Sequence, residues 1–251
     1  MRDINDYTEK YAVDYFETRY MVKYRRKKIL EIMDAHKPKN ILEIGCGLEP
    51  LFKFYRDFDS YTVTEPSAEF CDNARALAEN LPSKIKIINA FFEDCALEKN
   101  FDFIVLSSLL HEVEQPDKLL AAIIKVAAEK TLIHINVPNA KSFHRLLALK
   151  AGLIKDVHNF SVRNKKFQQH NVWDMDGLKE FIGEVANQNN RRVEFQDSGS
   201  FFVKPFTHAQ MEQCLNNGVF GENVLDGLDK MIDFMPELGA EIYVNCRFIG
   251  E

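Results

Sequence analysis

A short apolar run that ends in two glycines reads Ile41-Leu42-Glu43-Ile44-Gly45-Cys46-Gly47. A helical pattern precedes it and is broken at residues 38–40, and the run 41–44 is short and apolar enough to be a buried strand. Two glycines directly after a strand remove two Cβ atoms, so a ligand can approach the backbone closely. The stretch therefore predicts a strand, a tight turn and a ligand-binding loop.

Apolar runs alternate with amphipathic segments on both sides of this turn. Predicted strands cover residues 41–44, 60–64, 84–88, 101–106, 131–135, 192–196 and 240–249, and predicted helices cover residues 20–36, 51–56, 67–80, 117–130 and 174–190. Strands that alternate with helices imply parallel βαβ units, and the period-2 pattern of the last strand suits an antiparallel closing strand. We expect an α/β, Rossmann-like, doubly wound sheet of seven mostly parallel strands with helical lid insertions.

Length and composition favour one globular domain of 251 residues. The net charge of −6, from 32 basic and 38 acidic residues, disfavours nonspecific binding to nucleic acid or anionic lipid. We expect the basic run 25–28 to be a solvated helix face. Five cysteines without a CxxC pair suit a reducing cytoplasm, and no apolar run is long enough for membrane insertion or export.

The single domain, residues 1–251, divides by pattern into a core and three added segments. Residues 38–137 carry the alternation of the cofactor-binding core, and residues 1–37 form an N-terminal helical cover. Residues 138–173 and 205–238 interrupt the alternation. Because insertions after the carboxyl ends of parallel strands lie over the ligand crevice of an open sheet, we expect these two to be substrate lids.

An acidic residue, Glu65, follows the second predicted strand, 22 residues after Glu43. A carboxylate at the tip of that strand can accept hydrogen bonds from both ribose hydroxyls of an adenosine ligand. Together with residues 42–47, it resembles the class I S-adenosylmethionine-dependent methyltransferases, whose first motif is hydrophobic-acidic-hydrophobic-Gly-x-Gly-x-Gly. The chain departs from this motif at Glu49, where the family commonly has its third glycine.

The resemblance implies a set of residues that bind S-adenosylmethionine. They are Glu43, Gly45, Cys46, Gly47, Glu65, Ala90, Phe91 and Ser107. The glycine loop would line the methionyl part, and the acidic residue before it would support the loop and face the methionine ammonium. Glu65 would hold the ribose, the pair after the third strand would contact the adenine, and one N-terminal tyrosine would contact the cofactor carboxylate.

Histidines are the candidate catalytic bases. Residues 106–113 read Leu-Ser-Ser-Leu-Leu-His-Glu-Val, where many relatives read Leu-Glu-His-Val, so His111 takes the functional slot. A neutral imidazole with an ordinary pKa of about 6.5 can remove a proton from a hydroxyl at cytoplasmic pH. His144 and His170 are the alternatives.

Residues 137–145 resemble a Val-Pro-Asn-Ala-x-Ser-x-His-Arg pattern of bacterial methyltransferases associated with cell-surface carbohydrate biosynthesis. We expect Asn139 and Arg145 to bind the acceptor, because a guanidinium can bind a carboxylate or phosphate bidentately. The histidine spacings match no metal-ligand motif, so no metal is expected.

The leading hypothesis is methyl transfer from S-adenosylmethionine to an oxygen, or less favourably a nitrogen, of a small polar acceptor such as a sugar or a phosphorylated surface-polysaccharide precursor. One alternative is a noncatalytic S-adenosylmethionine-binding scaffold or regulatory protein. Another is a nucleotide-dependent oxidoreductase, which Pro50 disfavours because a dinucleotide fingerprint needs a small residue there. Nucleic-acid methylation is disfavoured by the acidic charge, and the sequence leaves the oligomeric state open.

Overall fold

Seven strands form one mixed sheet in the residues that the computed structural model describes, which are 3–81, 84–98 and 101–250. The strands are β1 (Asn40–Ile44), β2 (Ser60–Thr64), β3 (Lys84–Ile88), β4 (Phe103–Ser107), β5 (Leu132–Pro138), β6 (Arg192–Phe201) and β7 (Glu241–Ile249). Their order is 3-2-1-4-5-7-6, and β7 runs antiparallel between β5 and β6 while the other pairs are parallel. The predicted α/β, doubly wound, mostly parallel sheet is confirmed.

Helices cover both faces of the sheet and its carboxyl edge. They are α1 (Ile4–Ala12), α2 (Val22–His36), α3 (Ala68–Ala78), α4 (Pro116–Val126), α5 (Phe143–Lys150), α6 (Val162–Lys166), α7 (Met175–Gln188), α8 (His208–Asn216) and α9 (Glu222–Lys230). A π-helical turn, Glu17–Met21, leads into α2. Helices α2 and α3 contribute to the apolar core on one face, and α4 and α7 contribute to the core on the other.

The central strand β4 shows why the sheet needs both layers. Phe103 and Val105 belong to the core cluster on the α2 side, whereas Ile104 and Leu106 belong to the cluster on the α4 side. All four side chains are fully buried. Successive residues of a strand point to opposite faces, so a continuous apolar run is stable only when helices cover both faces.

Two predicted elements differ from the structure because tertiary contacts override the local pattern. The helix expected at 51–56 is only a 3₁₀ turn, Leu51–Lys53, after which the chain returns to the start of β2. The strand expected at 192–196 continues to Phe201, through a bulge after Phe195, because it pairs with β7 along its length. Gly199 lies within this strand, where the absence of a side chain leaves room for Tyr243: a Cβ would lie 3.0 Å from the Tyr243 hydroxyl.

A buried ion pair attaches the N-terminal helices to the sheet. Arg25 in α2 is 7% exposed, so the expectation that residues 25–28 form a solvated face is wrong for this residue. Its Nε donates to both carboxylate oxygens of Glu241 at 3.1 and 3.0 Å, and its Nη2 donates to Glu17 at 2.7 Å. The start of β7 is therefore tied to both the π-helical turn and α2.

The second insertion lies along this N-terminal cover through helix α9. Lys23 and Lys27 of α2 form ion pairs with Asp226 and Asp229 of α9 at 2.9 and 2.6 Å. The exposed Lys23–Asp226 pair contributes little to stability, and together the two pairs specify the orientation of the two helices. In the described part of the chain, no helix combines the length and the apolar character that a bilayer span requires.

Two glycine-to-alanine variants test the packing at the sheet edge. A Cβ at Gly239 would lie 2.5 Å from the backbone nitrogen of Phe201, whereas a Cβ at Gly183 in α7 would meet nothing within 4 Å. We expect Gly239→Ala to destabilise the protein by about 2 kcal/mol or more through overpacking. We expect Gly183→Ala to be neutral or to stabilise by about 0.5–1 kcal/mol. Urea unfolding measures both, and equal midpoints would contradict the tight contact at Gly239.

Candidate active site

One large cavity of about 830 Å³ opens at the carboxyl edge of the sheet. Its wall runs from the glycine loop after β1 to the chain that follows β6. Of the residues predicted to function, the wall includes Glu43, Gly45, Cys46, Gly47, Glu65, Phe91, Ser107, His111, Asn139, His144 and Arg145. Ligands bind at this edge in open α/β sheets because the loops from neighbouring strands meet there.

The glycine loop has the backbone that its sequence predicts. Gly45 and Gly47 have φ angles of +76° and +54°, which side chains with a Cβ rarely adopt. The Gly45 N–H donates to the carbonyl of Thr64 at 2.8 Å, which joins the loop to the end of β2. A Cβ at Gly45 would lie 3.3 Å from Leu109, so the loop that follows β4 packs closely against the glycine loop.

Glu43 supports the glycine loop from below. Its carboxylate is 3% exposed and accepts hydrogen bonds from the Leu51 N–H at 3.1 and 3.2 Å and from the Tyr61 hydroxyl at 2.8 Å. Burial raises the pKa of Glu43 to about 8, although both hydrogen bonds act to lower it. The residue is therefore mostly protonated at neutral pH, which suits loop support better than attraction of an ammonium group.

Glu65 connects the end of β2 to the glycine loop. One carboxylate oxygen accepts from the backbone N–H groups of Cys46 and Gly47 at 3.0 and 3.4 Å, and the other accepts from the Ser67 N–H at 2.9 Å. The side chain is 6% exposed and lies in the cavity wall. It is therefore placed where a carboxylate can contact both the loop and a ligand that lies along it.

Two N-terminal tyrosines lie over the glycine loop. Tyr11 would be 3.7 Å from a Cβ at Gly47, and its ring stacks on Tyr7 at a centroid distance of 5.7 Å. Both line the cavity, whereas Tyr24 instead stacks on Phe202. The sequence left open which N-terminal tyrosine would contact the cofactor. Tyr7 and Tyr11 are the N-terminal tyrosines that line the cavity.

The segment after β3 places only part of the predicted adenine site on the cavity. Phe91 is half-buried in the wall, and Ala90 lies outside it. The adjacent Phe92 also reaches the wall but is 5% exposed and packs in the core on the α4 side. Ser107, at the end of β4, lies in the wall as the sequence predicts.

The three candidate histidines have different environments. His111 lies in a 3₁₀ turn after β4, is 2% exposed, and has its Nε2 3.7 Å from a Glu112 carboxylate oxygen. His144 lines the cavity beside Ser142, whose hydroxyl is 3.1 Å from its Nδ1, and burial holds its pKa well below the usual range. His170 is exposed and outside the wall, and its backbone N–H donates to the carbonyl of His111.

The two residues predicted to bind the acceptor are largely engaged by the protein. Asn139 donates to the backbone carbonyls of Glu237 and Gly239 at 2.9 and 3.0 Å, so its amide joins the two insertions. Arg145 donates from Nε and Nη2 to the carbonyls of Val157 and Asn159 at 2.8 and 2.6 Å. Arg145 still lines the cavity, but these two nitrogens already donate to backbone carbonyls and are not available for a bidentate contact with an acceptor.

A mostly buried polar cluster in the cavity wall was missed by sequence reasoning. It consists of Glu17, Arg25, Arg163, Lys204, His208 and Glu241. These residues come from segments that are far apart in the chain, and none forms a motif with a neighbour in sequence. The one sequence signal for this cluster was Lys204, a charged residue that lies between the apolar run 201–203 and Pro205. Within the described ranges, no group of three His, Cys, Asp or Glu side chains is arranged to hold a metal ion.

Comparison with known proteins gives a family and related folds for this chain. A family profile described as a methyltransferase domain matches residues 16–184, which is more than half of the chain. A search of curated proteins finds no significant match. Many solved structures share the fold.

Three of these structures illustrate the range. An S-adenosylmethionine-dependent methyltransferase from Clostridium acetobutylicum has 11% identity and a TM-score of 0.61, covering 97% of this chain and 99% of that one. The plantazolicin methyltransferase BamL, solved with a desmethyl plantazolicin analogue and S-adenosylhomocysteine, has 16% identity and a TM-score of 0.59, covering 94% and 88%. The 1,6-didemethyltoxoflavin-N1-methyltransferase of Burkholderia thailandensis has 12% identity and a TM-score of 0.58, covering 99% and 89%.

The raised pKa of Glu43 predicts a pH-dependent loss of stability. The unfolded chain releases this proton near the ordinary pKa of 4.5, and the folded protein releases it near 8. The stability that the protonated Glu43 contributes is therefore fully present below pH 4.5 and is lost as pH rises through 8. Glu43→Gln removes this ionisation. As pH rises through this window, the free energy of unfolding of the variant should therefore increase relative to that of wild type by up to about 1.4 kcal/mol per pH unit.

Urea unfolding at several pH values measures this difference. The matched control is Glu69→Gln, which changes an exposed carboxylate of α3 and should follow the wild-type curve. Parallel curves for wild type and Glu43→Gln would show that Glu43 is ionised in the folded protein at neutral pH.

Proposed function

The chain belongs to the methyltransferase domain family of class I S-adenosylmethionine-dependent methyltransferases, and from this premise we propose that it methylates an oxygen of a small polar acceptor. A sugar or a phosphorylated precursor of a surface polysaccharide is the acceptor class we propose. Enzymes of the same fold that act on plantazolicin and on 1,6-didemethyltoxoflavin support a small-molecule acceptor. The polar cluster in the cavity wall supports a hydrophilic acceptor.

The position of Glu65 is the observation that carries the proposal. Its carboxylate lies at the end of β2, against the N–H groups of the glycine loop and inside a cavity covered by Tyr7 and Tyr11. A carboxylate there can accept from ribose hydroxyls, and backbone groups freed of Cβ atoms can approach the amino-acid part of the cofactor. The described residues therefore fit S-adenosylmethionine, which supplies an activated methyl group when bound.

The protein's own contribution is to position the acceptor, to exclude water and to remove a proton. We assign the proton to His111, because its buried ring is on the cavity wall and Glu112 lies 3.7 Å from its Nε2. The acceptor O–H bond breaks toward the imidazole as the O–CH₃ bond forms with the methyl group of the sulfonium, whose S–CH₃ bond would break to leave S-adenosylhomocysteine. The nearby carboxylate stabilises the resulting imidazolium. His144 is the weaker candidate because its lowered pKa makes it a poor proton acceptor.

Two surface segments complete the proposed enzyme. We assign residues 138–173 and 205–238 as lids over the acceptor, since the first brings His144 and Arg145 and the second brings His208 to the cavity wall. Asn139 joins the lids through its hydrogen bonds to Glu237 and Gly239.

Cofactor binding is the first test of the proposal. In a calorimetric titration, S-adenosylmethionine and S-adenosylhomocysteine should bind and NAD should not. Glu65→Ala should weaken S-adenosylhomocysteine binding by about 10-fold or more, because a hydrogen-bonding carboxylate is lost. Glu69→Ala, which changes an exposed carboxylate on the adjacent helix, is the matched control and should bind as wild type does. Binding of NAD instead would favour the oxidoreductase alternative.

The role of His111 is tested with an acceptor found by screening sugars and sugar phosphates for S-adenosylhomocysteine release. His111→Ala should lower kcat by about 10²-fold and leave cofactor affinity unchanged. His36→Ala, at an exposed histidine of α2, is the control. Unchanged turnover in His111→Ala would remove the assignment, and binding without turnover on any acceptor would favour a noncatalytic role.

A further inference from the structure

Lys204 is a buried lysine that faces the cavity without a protein partner. Its side chain is 4% exposed and lies in the cavity wall. The structure gives its ammonium neither a hydrogen bond nor an ion pair with any other described residue, although buried charges are normally paired.

The chain around Lys204 is built to hold it in this position. Phe202 has a φ of +56°, which is strained for a bulky residue, and its ring stacks on Tyr24 at a centroid distance of 4.4 Å. Backbone hydrogen bonds from Ala240 to Phe202 and from Val203 to Leu228 fix the turn on both sides. Pro205 then restricts Lys204 to an extended backbone. Strain that the surroundings maintain is typical of functional sites.

Lys204 and Arg145 together make the surroundings of His144 positive. The charges of both residues lower the pKa of His144, beyond the larger effect of burial, and no carboxylate acts in the opposite direction there. The two guanidinium nitrogens of Arg145 that donate hydrogen bonds do so to neutral backbone carbonyls. The carboxylate of Asp156 acts on Arg145 electrostatically, but no direct ion pair joins the two side chains in the described residues.

The carboxylates near Lys204 are held by other cations. Glu17 and Glu241 receive hydrogen bonds from Arg25, and Asp14 and Glu17 receive hydrogen bonds from Arg163. The remaining neighbours are His144 and His208, whose pKa values burial holds well below the usual range, so both are neutral at neutral pH. Among the described residues around His144, Lys204 and Arg145 are thus cations that donate no hydrogen bond to a carboxylate.

We propose that Lys204 and Arg145, which line the cavity together with His144, bind an oxyanion of the acceptor, either a phosphate or a carboxylate. The inference rests on the proposed function and names the acceptor class: a hydroxylated molecule that also carries an anionic group. Lys204 supplies a point charge, Arg145 supplies its remaining N–H donors, and the neutral imidazole of His144 can donate one N–H. The subsite lies in the same cavity as the glycine loop, so it orients the acceptor toward the cofactor.

Burial also makes this subsite sensitive to pH. Burial lowers the pKa of Lys204 to about 7, Arg163 lowers it further, and Glu17, Glu241 and Asp14 act in the opposite direction. Because only the ammonium form attracts an anion, affinity should fall as pH rises through this value. Glu43, with a pKa of about 8, also lines the cavity, beneath the glycine loop, and its ionisation would act in the same direction.

Calorimetric titration with sodium sulfate at constant ionic strength tests the proposal, because sulfate is a tetrahedral oxyanion that does not titrate in this range. Wild type, alone and saturated with S-adenosylhomocysteine, should bind sulfate more weakly as pH is raised from about 6 to about 8.5. Lys204→Met should weaken binding at the lower pH by about 10-fold or more. This variant should fold, since replacing a buried unpaired charge with an apolar side chain of similar size removes a desolvation cost.

Two further variants make the result specific to Lys204. Lys204→Arg keeps the charge at all these pH values, so it should bind sulfate and lose most of the pH dependence, and any remainder reports Glu43. Lys150→Met, at the exposed end of α5, should match wild type. Repeating the titration with acetate distinguishes a carboxylate from a phosphate subsite by which anion shows the larger Lys204-dependent affinity.

The outcomes separate this inference from the proposed function. Wild-type sulfate affinity in Lys204→Met, or no sulfate binding by a wild type that binds S-adenosylhomocysteine, would overturn the subsite and leave the methyltransferase assignment in place. Lys204-dependent sulfate binding by a protein that does not bind S-adenosylhomocysteine would support the subsite and overturn the proposed use of the cavity.

Discussion

Arg25 is buried between Glu17 and Glu241, and this interaction determines how the N-terminal cover meets the sheet. Removing three charges from water costs several kcal/mol per ion, and only close hydrogen bonds among them can offset that cost. Loss of the guanidinium would leave the carboxylates of Glu17 and of Glu241, the first residue of β7, buried without this cation. The cavity depends on this pairing, because Glu17 belongs to the N-terminal cover, which also places Tyr11 over the glycine loop.

The reactive region follows from the parallel strands of the sheet. Strands β1, β2 and β4 end at one edge, and their loops bring the glycine turn, Glu65 and His111 into one wall. The elements on the other half of the sheet, after β5 and β6, add His144 and Lys204 to the wall of the same cavity. In the proposed enzyme, the short loops hold the cofactor and the longer insertions hold the acceptor.

Prediction from sequence succeeded where local pattern and tertiary environment agree. Strands β2 and β3 have the predicted bounds, and the positive φ angles of the glycine loop match its composition. It was less informative for residues in loops. Whether His170 or His144 faces the cavity depends on how an irregular segment packs, and period-2 or period-3.6 patterns contain no information about that. Arg145 was a reasonable candidate by chemistry, but its nearest acceptors proved to be backbone carbonyls of its own insertion.

The sequence by itself determined the layered α/β fold, the glycine loop and the acidic residue that follows β2, because each depends on contacts between residues that are near in the chain or on the conformational freedom of glycine. Tertiary structure alone decided the acceptor half. Arg25 and Glu241 are 216 positions apart, and Lys204 shares a cavity wall with His144 only because β6 and β7 close the sheet beside β5. Electrostatic interactions act through space and not along the chain, so the charges that define this half become neighbours only in the folded protein.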